Sequence, residues 1–383
     1  MLEIATLLFM VAGTHGLIIP LDKPVTTDFV SFYAAGLQAK LGQAASVYDQ
    51  ASHYLAEEAA VGFKGFSYNY FFYPPVYLLV CQGLARLPYL PSFIVWECFS
   101  GLAYLWAIKT ILPKGRPLSP FIAYPAVFVA VGTGQNSLLS AALFGGATAM
   151  VERRPWLAGV LFGGLCYKPH FALLVPVALL AGRHFRCFAA AALTVAALVG
   201  VSLILYGTAT WSAFLALSTG KTAGLFAVGK IPFAGLVSPF AAMRMLGLPV
   251  DAAWDGQIVI SAIMAILVAV AWRGPSSLAL KSATLLAATV LAVPVILFYD
   301  LTLAAVALAW IWHESCAENG ASRFLPWEKA IFVVVFVVPI ISRGLGHSSH
   351  IPVGPFAGGG IALLCIARLL KNQRRYLDNS NAA

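Results

Sequence analysis

Charge is what this sequence has least of. Only 10% of its 383 residues are Asp, Glu, Lys or Arg, where soluble domains carry about a quarter, and 60% are apolar. A water-soluble globule is excluded. Strict polar/apolar alternation is also missing, which removes a membrane β-barrel and leaves a bundle of apolar helices. The six cysteines (Cys81, Cys98, Cys166, Cys187, Cys316 and Cys365) form no CxxC pair and have no histidine at metal-ligand spacing, so neither a zinc site nor a disulfide framework is expected. There is no Walker loop, no GxGxxG, no HExxH and no GxSxG elbow, which leaves ATP-driven and soluble-hydrolase chemistry unsupported. Internal repeats, and with them the inverted-repeat signature of many transporters, are absent too.

What is present is a series of apolar runs bounded by Gly, Pro or charge, at about 2–21, 72–87, 91–112, 118–132, 136–151, 155–167, 170–182, 187–206, 256–272, 278–296, 300–314, 328–344 and 352–370. The first opens with no basic region and no small-x-small cleavage site, and reads as a retained span. The net charge of +9 matters through its distribution and implies no nucleic acid. Basic residues gather in short connections: Lys109, Lys114 and Arg116; Arg153 and Arg154; Arg183 and Arg186; Arg273 and Lys281; Arg323 and Lys329; Arg368, Lys371, Arg374 and Arg375.

The positive-inside rule puts all six groups in the cytoplasm. That parity makes 118–132/136–151 and 155–167/170–182 hairpins with recessed outward tips, Gly132–Asn136 and Lys168–His170. It also demotes 72–87, which begins Tyr73-Pro74-Pro75 and contains Arg86, to an interfacial helix. The expected architecture is a single all-α membrane domain over 1–383 with about twelve spans and both termini inside. Segment 22–90 is then a first outer loop with juxtamembrane helices, 207–255 a second, partly re-entrant outer loop, and 371–383 a cytoplasmic tail. Fifteen basic residues then lie on the inside and nine outside, although the outer segments are the longer ones.

Chemistry-bearing residues sit mainly on the expected outer face. From Asp28 onward Phe29, Phe32, Tyr33, Gly36, Leu37 and Leu41 recur at helical spacing, which predicts an amphipathic helix lying on the membrane. Asp28 suits two roles there, helix N-cap or general base. Lys168, between two apolar runs, needs an anionic partner because an unpaired ammonium at bilayer depth costs about 2.5–3.5 kcal/mol. A lipid phosphate and Asp300 both qualify, and Asp300 interrupts an apolar stretch of its own beside Tyr299. The segment 342–350, expected as the last outer loop, sets Arg343, His347, His350 and hydroxyls close together, a donor set for phosphate or sugar oxygens. Gln135 and Asn136 either contact a ligand or cap the next helix. Lys221, Lys230 and Arg244 give the second outer loop a basic character suited to anionic headgroups.

The ordered set Asp28-Phe29, Tyr33-Ala34-Ala35-Gly36, Val47-Tyr48-Asp49, Tyr73-Pro74-Pro75, Leu87-Pro88-Tyr89 with Trp96, Gly134-Gln135-Asn136 and Tyr167-Lys168-Pro169 resembles glycosyltransferase family 87, which includes polyprenyl-phosphate-mannose-dependent mannosyltransferases. The resemblance runs from about 26 to 310. It implies a GT-C bundle in the bacterial cytoplasmic membrane whose first outer loop carries the catalytic carboxylate, matched here by Asp28. The donor would be a polyprenyl-phosphate sugar, mannose foremost, the acceptor a lipid or glycan hydroxyl, and no cofactor is expected. Where the family often has a Ser-Pro-x-Ser-Trp-x-His-His-like stretch, this chain reads Val293-Pro294-Val295-Ile296-Leu297-Phe298-Tyr299-Asp300. On this view Lys168, Arg343 and His347 would hold the departing phosphate, and Tyr73, Gln135, Asn136, Tyr299, Asp300 and His350 would line the substrates. A transporter or flippase using Lys168 and Asp300 as a switching ion pair, or a binder without catalysis, are the competing expectations.

Overall fold

The computed structural model describes residues 27–221, 232–316, 324–325 and 327–381, and the two-residue strands β1 (Ile18–Ile19) and β2 (Lys23–Pro24), which pair antiparallel. The strand at Ile18–Ile19 corrects the first apolar run, expected as a helix through Leu21. Ile19 precedes Pro20, whose ring drives the preceding residue to extended backbone. The rest of that run lies outside the described residues.

Besides one short turn of helix at Ser119–Ile122, the α-helices in chain order are α1 (Thr27–Lys40), α2 (Gln50–Val61), α3 (Leu78–Leu84), α4 (Tyr89–Ile111), α5 (Pro125–Thr133), α6 (Ser137–Met150), α7 (Pro155–Gly164), α8 (Val175–Ala181), α9 (Phe185–Ala216), α10 (Pro239–Met245), α11 (Val250–Arg273), α12 (Leu278–Ala292), α13 (Thr302–Ser315), α14 (Glu328–Ser349) and α15 (Pro355–Asn381). Among the described residues four helices are long and apolar enough to cross a membrane: Tyr89–Ile111, Phe185–Thr219, Val250–Arg273 and Glu328–Ser349. Shorter apolar helices accompany them at Pro75–Leu84, Ser137–Met150, Pro155–Tyr167, Pro169–Ala181 and Leu278–Ala292. Apolar side chains such as Ile204 and Ile258, 84% and 62% exposed, lie on the surface of these helices, as lipid-facing positions do.

One boundary falls where it is expected and another moves. α9 breaks at Gly207, whose φ of 76° and ψ of 169° are non-helical and which only glycine adopts freely, so the apolar run ends at 206 and a second helical stretch follows to Ala216. α14 continues through Ser349 and absorbs the expected loop 342–350. Gly346 serves close packing there, since a Cβ on it would stand 2.8 Å from the Ala234 methyl.

The chain divides into two compact units. The first holds 1–102, 128–136 and 195–225. Its centre is α1, which packs on α2 and α3 and is buried on nearly every face: Phe29, Val30, Ser31, Phe32, Tyr33, Ala34, Ala35, Gly36, Gln38 and Ala39 are all covered. The expected surface-lying amphipathic helix is thus corrected to a core helix. The small residues explain why, because a Cβ on Gly36 would stand 2.1 Å from the carbonyl oxygen of Cys81 on α3, an approach only glycine permits. Around it aromatic rings meet edge to face, Phe29 with Tyr89 and Phe93, and Phe32 with Tyr73 and Tyr77. The Val47-Tyr48-Asp49 motif closes this unit. Tyr48 Oη donates to the Tyr73 carbonyl at 3.0 Å, and Asp49 caps α2 by accepting from Ser52 N at 2.9 Å.

The second unit holds 103–127, 137–194 and 226–383. Here α12 is enclosed by α11, α13 and α15. Its polar seams are local: Gln257 Nε2 donates to the Leu291 carbonyl at 2.9 Å, Trp310 Nε1 to Thr148 Oγ1 at 3.1 Å, and Arg368 Nη2 to Glu328 Oε2 at 2.7 Å. Each satisfies a group that would cost free energy in an apolar bundle.

Candidate active site

In the first unit Asp28 sits in the first turn of α1, where the helix macrodipole favours a carboxylate, and is half-buried. Its Oδ2 accepts from Gln135 Nε2 at 3.3 Å. That amide is oriented by its other end, where Gln135 Oε1 accepts from Tyr73 Oη at 3.3 Å and from the Asn136 backbone N–H at 3.0 Å. Gln135 and Asn136 are 5% and 0% exposed. Gly134, with φ 72°, makes the turn between α5 and α6, and its carbonyl accepts from the buried Trp96 indole at 3.2 Å. Three sequence-distant motifs, those of Asp28, Tyr73 and Gln135, therefore meet in one hydrogen-bonded group.

Sequence reasoning missed what lies behind Asp28. On α2 His53 and Glu57 are wholly buried and one turn apart, with His53 Nε2 3.8 Å from Glu57 Oε1. His53 Nδ1 donates to Gln38 Oε1 at 2.7 Å, which leaves Nε2 to accept from Ser31 Oγ at 3.1 Å. Burial pushes the His53 pKa down to about 3, so the ring is neutral at ordinary pH. Glu57 Oε2 accepts from Asn69 N at 3.1 Å, while Oε1 is buried with no hydrogen bond. Burial, reinforced by the charge of Asp28 and offset in part by the Asn69 N–H, raises the Glu57 pKa to about 8. The available signal was the i, i+4, i+8 stripe His53, Glu57, Val61, the buried face of a helix that leaves Leu55 64% exposed.

In the second unit Lys168 lies between two 3-10 turns, Leu165–Tyr167 and Pro169–Ala172, and its Nζ meets Asp300 Oδ1 at 2.8 Å. Both are nearly fully buried, and Asp300 Oδ2 also accepts from Leu297 N at 3.3 Å. The ammonium stands 5.0 Å from the Phe171 ring centroid and 5.8 Å from that of Tyr299. Of the two anionic partners open to Lys168, Asp300 is the one in place. Arg343 is exposed and lies 5.5 Å over Phe298, next to Tyr299. His347 and His350 are exposed at the end of α14, and His350 adopts a left-handed backbone with φ 56°. Arg244 donates to the Leu248 carbonyl and covers the Phe233 ring. The side chains of Lys221 and Lys230 lie outside the described residues. Among the described residues no three His, Cys, Asp or Glu side chains gather as a metal site, and the six cysteines are unpaired.

The chain matches no curated protein and no solved structure. It does match the family model of glycosyltransferase family 87 over residues 71–297, a stretch that takes in Tyr73, Gln135, Asn136 and Lys168 and stops short of Asp28, Tyr299, Asp300 and the end of α14. A match over more than half of a chain built from apolar helices settles its membership: the protein belongs to glycosyltransferase family 87 and is a membrane glycosyltransferase.

Proposed function

We propose that this enzyme moves a hexose, mannose foremost, from a polyprenyl-phosphate sugar to a hydroxyl of a lipid or glycan acceptor on the outer face of the cytoplasmic membrane, with inversion at the anomeric carbon. Asp28 is the general base. It takes the proton of the acceptor hydroxyl as that oxygen bonds to the anomeric carbon, and the bond from that carbon to the phosphate oxygen breaks with its electron pair leaving on the lipid phosphate. The observation that carries the proposal is the Asp28–Gln135–Tyr73 group: a half-buried carboxylate held by one amide whose orientation is fixed from the opposite end. Positioning of this kind is what a base needs, since it must reach one hydroxyl rather than sample solvent.

A phosphate leaving group asks for cations rather than a strong acid. Lys168 is neutralised by Asp300, so the exposed Arg343, with His347 and His350 on the same helix end, is the better phosphate partner. A buried Lys–Asp pair is also what a flippase would switch, but family membership makes the enzyme the stronger reading. The experiment is transfer from a panel of radiolabelled polyprenyl-phosphate sugars by the purified protein in lipid, wild type against Asp28→Asn. The expected result is a loss of roughly 10²–10⁴-fold in kcat with donor binding retained. Undiminished transfer by Asp28→Asn removes Asp28 as base, and donor binding without transfer in either protein overturns the choice of donor and acceptor.

A further inference from the structure

α1 and α2 are joined by a polar seam inside a core that is otherwise aromatic and aliphatic. Gln38 on α1 donates to Ser46 Oγ at 2.9 Å and to Ser52 Oγ at 3.3 Å, and its Oε1 takes the His53 ring N–H. About two turns back along α1, Ser31 reaches the other nitrogen of the same ring. The chain positions fall on α1 as they rise on α2, so the helices run antiparallel along the seam. The next step carries α1 to Asp28, three residues before Ser31, and α2 to Glu57, four residues after His53. The seam therefore ends in two carboxyls, one of them wholly buried with an oxygen that no hydrogen bond reaches.

A buried carboxyl held only by Asn69 keeps its proton unless a cation faces it, and among the described residues none does. The groups around Glu57 are His53, Tyr54 and Glu58 from its own helix, Asp28 and Ser31 from α1, and Tyr68 and the Asn69 N–H from the chain after α2. His53 is neutral and the rest are neutral or acidic. We infer that Glu57 is a positioning residue of the active site that shares a single proton with Asp28 and so sets the basicity of that carboxylate. This rests on Asp28 being the base. With Glu57 protonated the charge of the pair lies on Asp28, ready to accept the acceptor's proton. Once Asp28 has taken that proton the pair holds two, and it returns to its starting state by releasing one to solvent. When Glu57 ionises, the second negative charge raises the proton affinity of Asp28.

Two measurements on the full-length protein in lipid test this. The first is the pH profile of kcat at saturating polyprenyl-phosphate sugar. The wild type is expected to rise several-fold between pH 7 and 9 with an inflection near 8, the region where Glu57 loses its proton, and Glu57→Gln, which keeps shape and neutrality, is expected to be flat across it. The second is the titration of Glu57 itself, by infrared difference spectroscopy of the protonated carboxyl stretch with Glu57→Gln identifying the band. Its midpoint is expected to fall by at least one pH unit in Asp28→Asn. An inflection that survives in Glu57→Gln, or a Glu57 midpoint in the ordinary carboxylate range or indifferent to Asp28→Asn, overturns the inference. Full transfer by Asp28→Asn with the coupled titration intact would instead strike down the base assignment and leave the shared proton standing. Should Glu57→Gln fail to fold, the midpoint comparison between wild type and Asp28→Asn, with the band assigned by isotope-labelled glutamate, still decides it.

Discussion

A lysine that is 4% exposed and an aspartate that is 2% exposed, 2.8 Å apart, constrain each other more than either constrains a ligand. The ammonium and carboxylate were both legible in the sequence as interruptions of apolar runs, because the cost of an isolated charge there demands a partner. Which partner was not legible, since sequence separation carries no distance. Removing one member leaves the other charged and buried, so Asp300→Leu or Lys168→Met alone is expected to destabilise the protein by about 3–5 kcal/mol. The double variant should recover most of that loss, as paired charges in an apolar setting are replaceable by side chains of similar volume. Thermal unfolding in nanodiscs reads this out, and transfer activity of the double variant separates two roles: a stable, active double variant marks the pair as structural, whereas a stable variant without transfer places it in substrate handling.

At the scale of the element, α1 shows what periodicity conveys and what it hides. The Phe29, Phe32, Tyr33, Gly36 spacing predicted a helix, and the helix is there from Thr27. The same spacing suggested one wet face, yet Ala34, Ala35 and Gly36 fill the other sides and allow neighbouring backbone to close in. Small residues look neutral in a hydrophobic pattern while permitting the tightest contacts, so burial on all sides escapes it. α2 misleads in the opposite sense, burying His53 and Glu57 and exposing Leu55. Gly36→Ala would put a methyl 2.1 Å from the Cys81 carbonyl oxygen and 2.9 Å from the Ala85 methyl, and backbone cannot yield as a side chain can. The expected cost is about 1–3 kcal/mol, with α1 and its Asp28 displaced. Gly83→Ala on α3, where a Cβ meets nothing within 4 Å, is the matched control and should hold or slightly gain stability through helix propensity. Equal loss in both variants would refute the close-packing account of the Tyr33–Gly36 motif.

For the whole molecule, class was legible because composition alone excludes a soluble fold, and apolar length then selects helices. The ends of those helices were less so: nothing in the polar, glycine-containing run at 342–350 reveals that α14 carries on through it, because Gly346 answers to the tight approach of Ala234 rather than to a turn. Orientation depends on a different quantity, the placement of Lys and Arg, which is independent of where helices end to within a few residues. The orientation proposed for this enzyme rests on fifteen basic residues in or beside short connections and at helix ends, against nine across the longer remaining segments, the bias expected of a cytoplasmic side. It follows that Gln43, between α1 and α2, and Ser348, at the end of α14, should face outward, and Arg116 and Arg153 inward. In a background with Cys98, the one exposed cysteine, replaced by serine, a membrane-impermeant maleimide applied to intact cells is expected to label Gln43→Cys and Ser348→Cys, and to reach Arg116→Cys and Arg153→Cys only after permeabilisation. Labelling of Arg153→Cys in intact cells, with Gln43→Cys protected, would invert the protein. It would also move Asp28 to the cytoplasmic face, where nucleotide-sugars are at hand and a polyprenyl-phosphate donor loses its rationale.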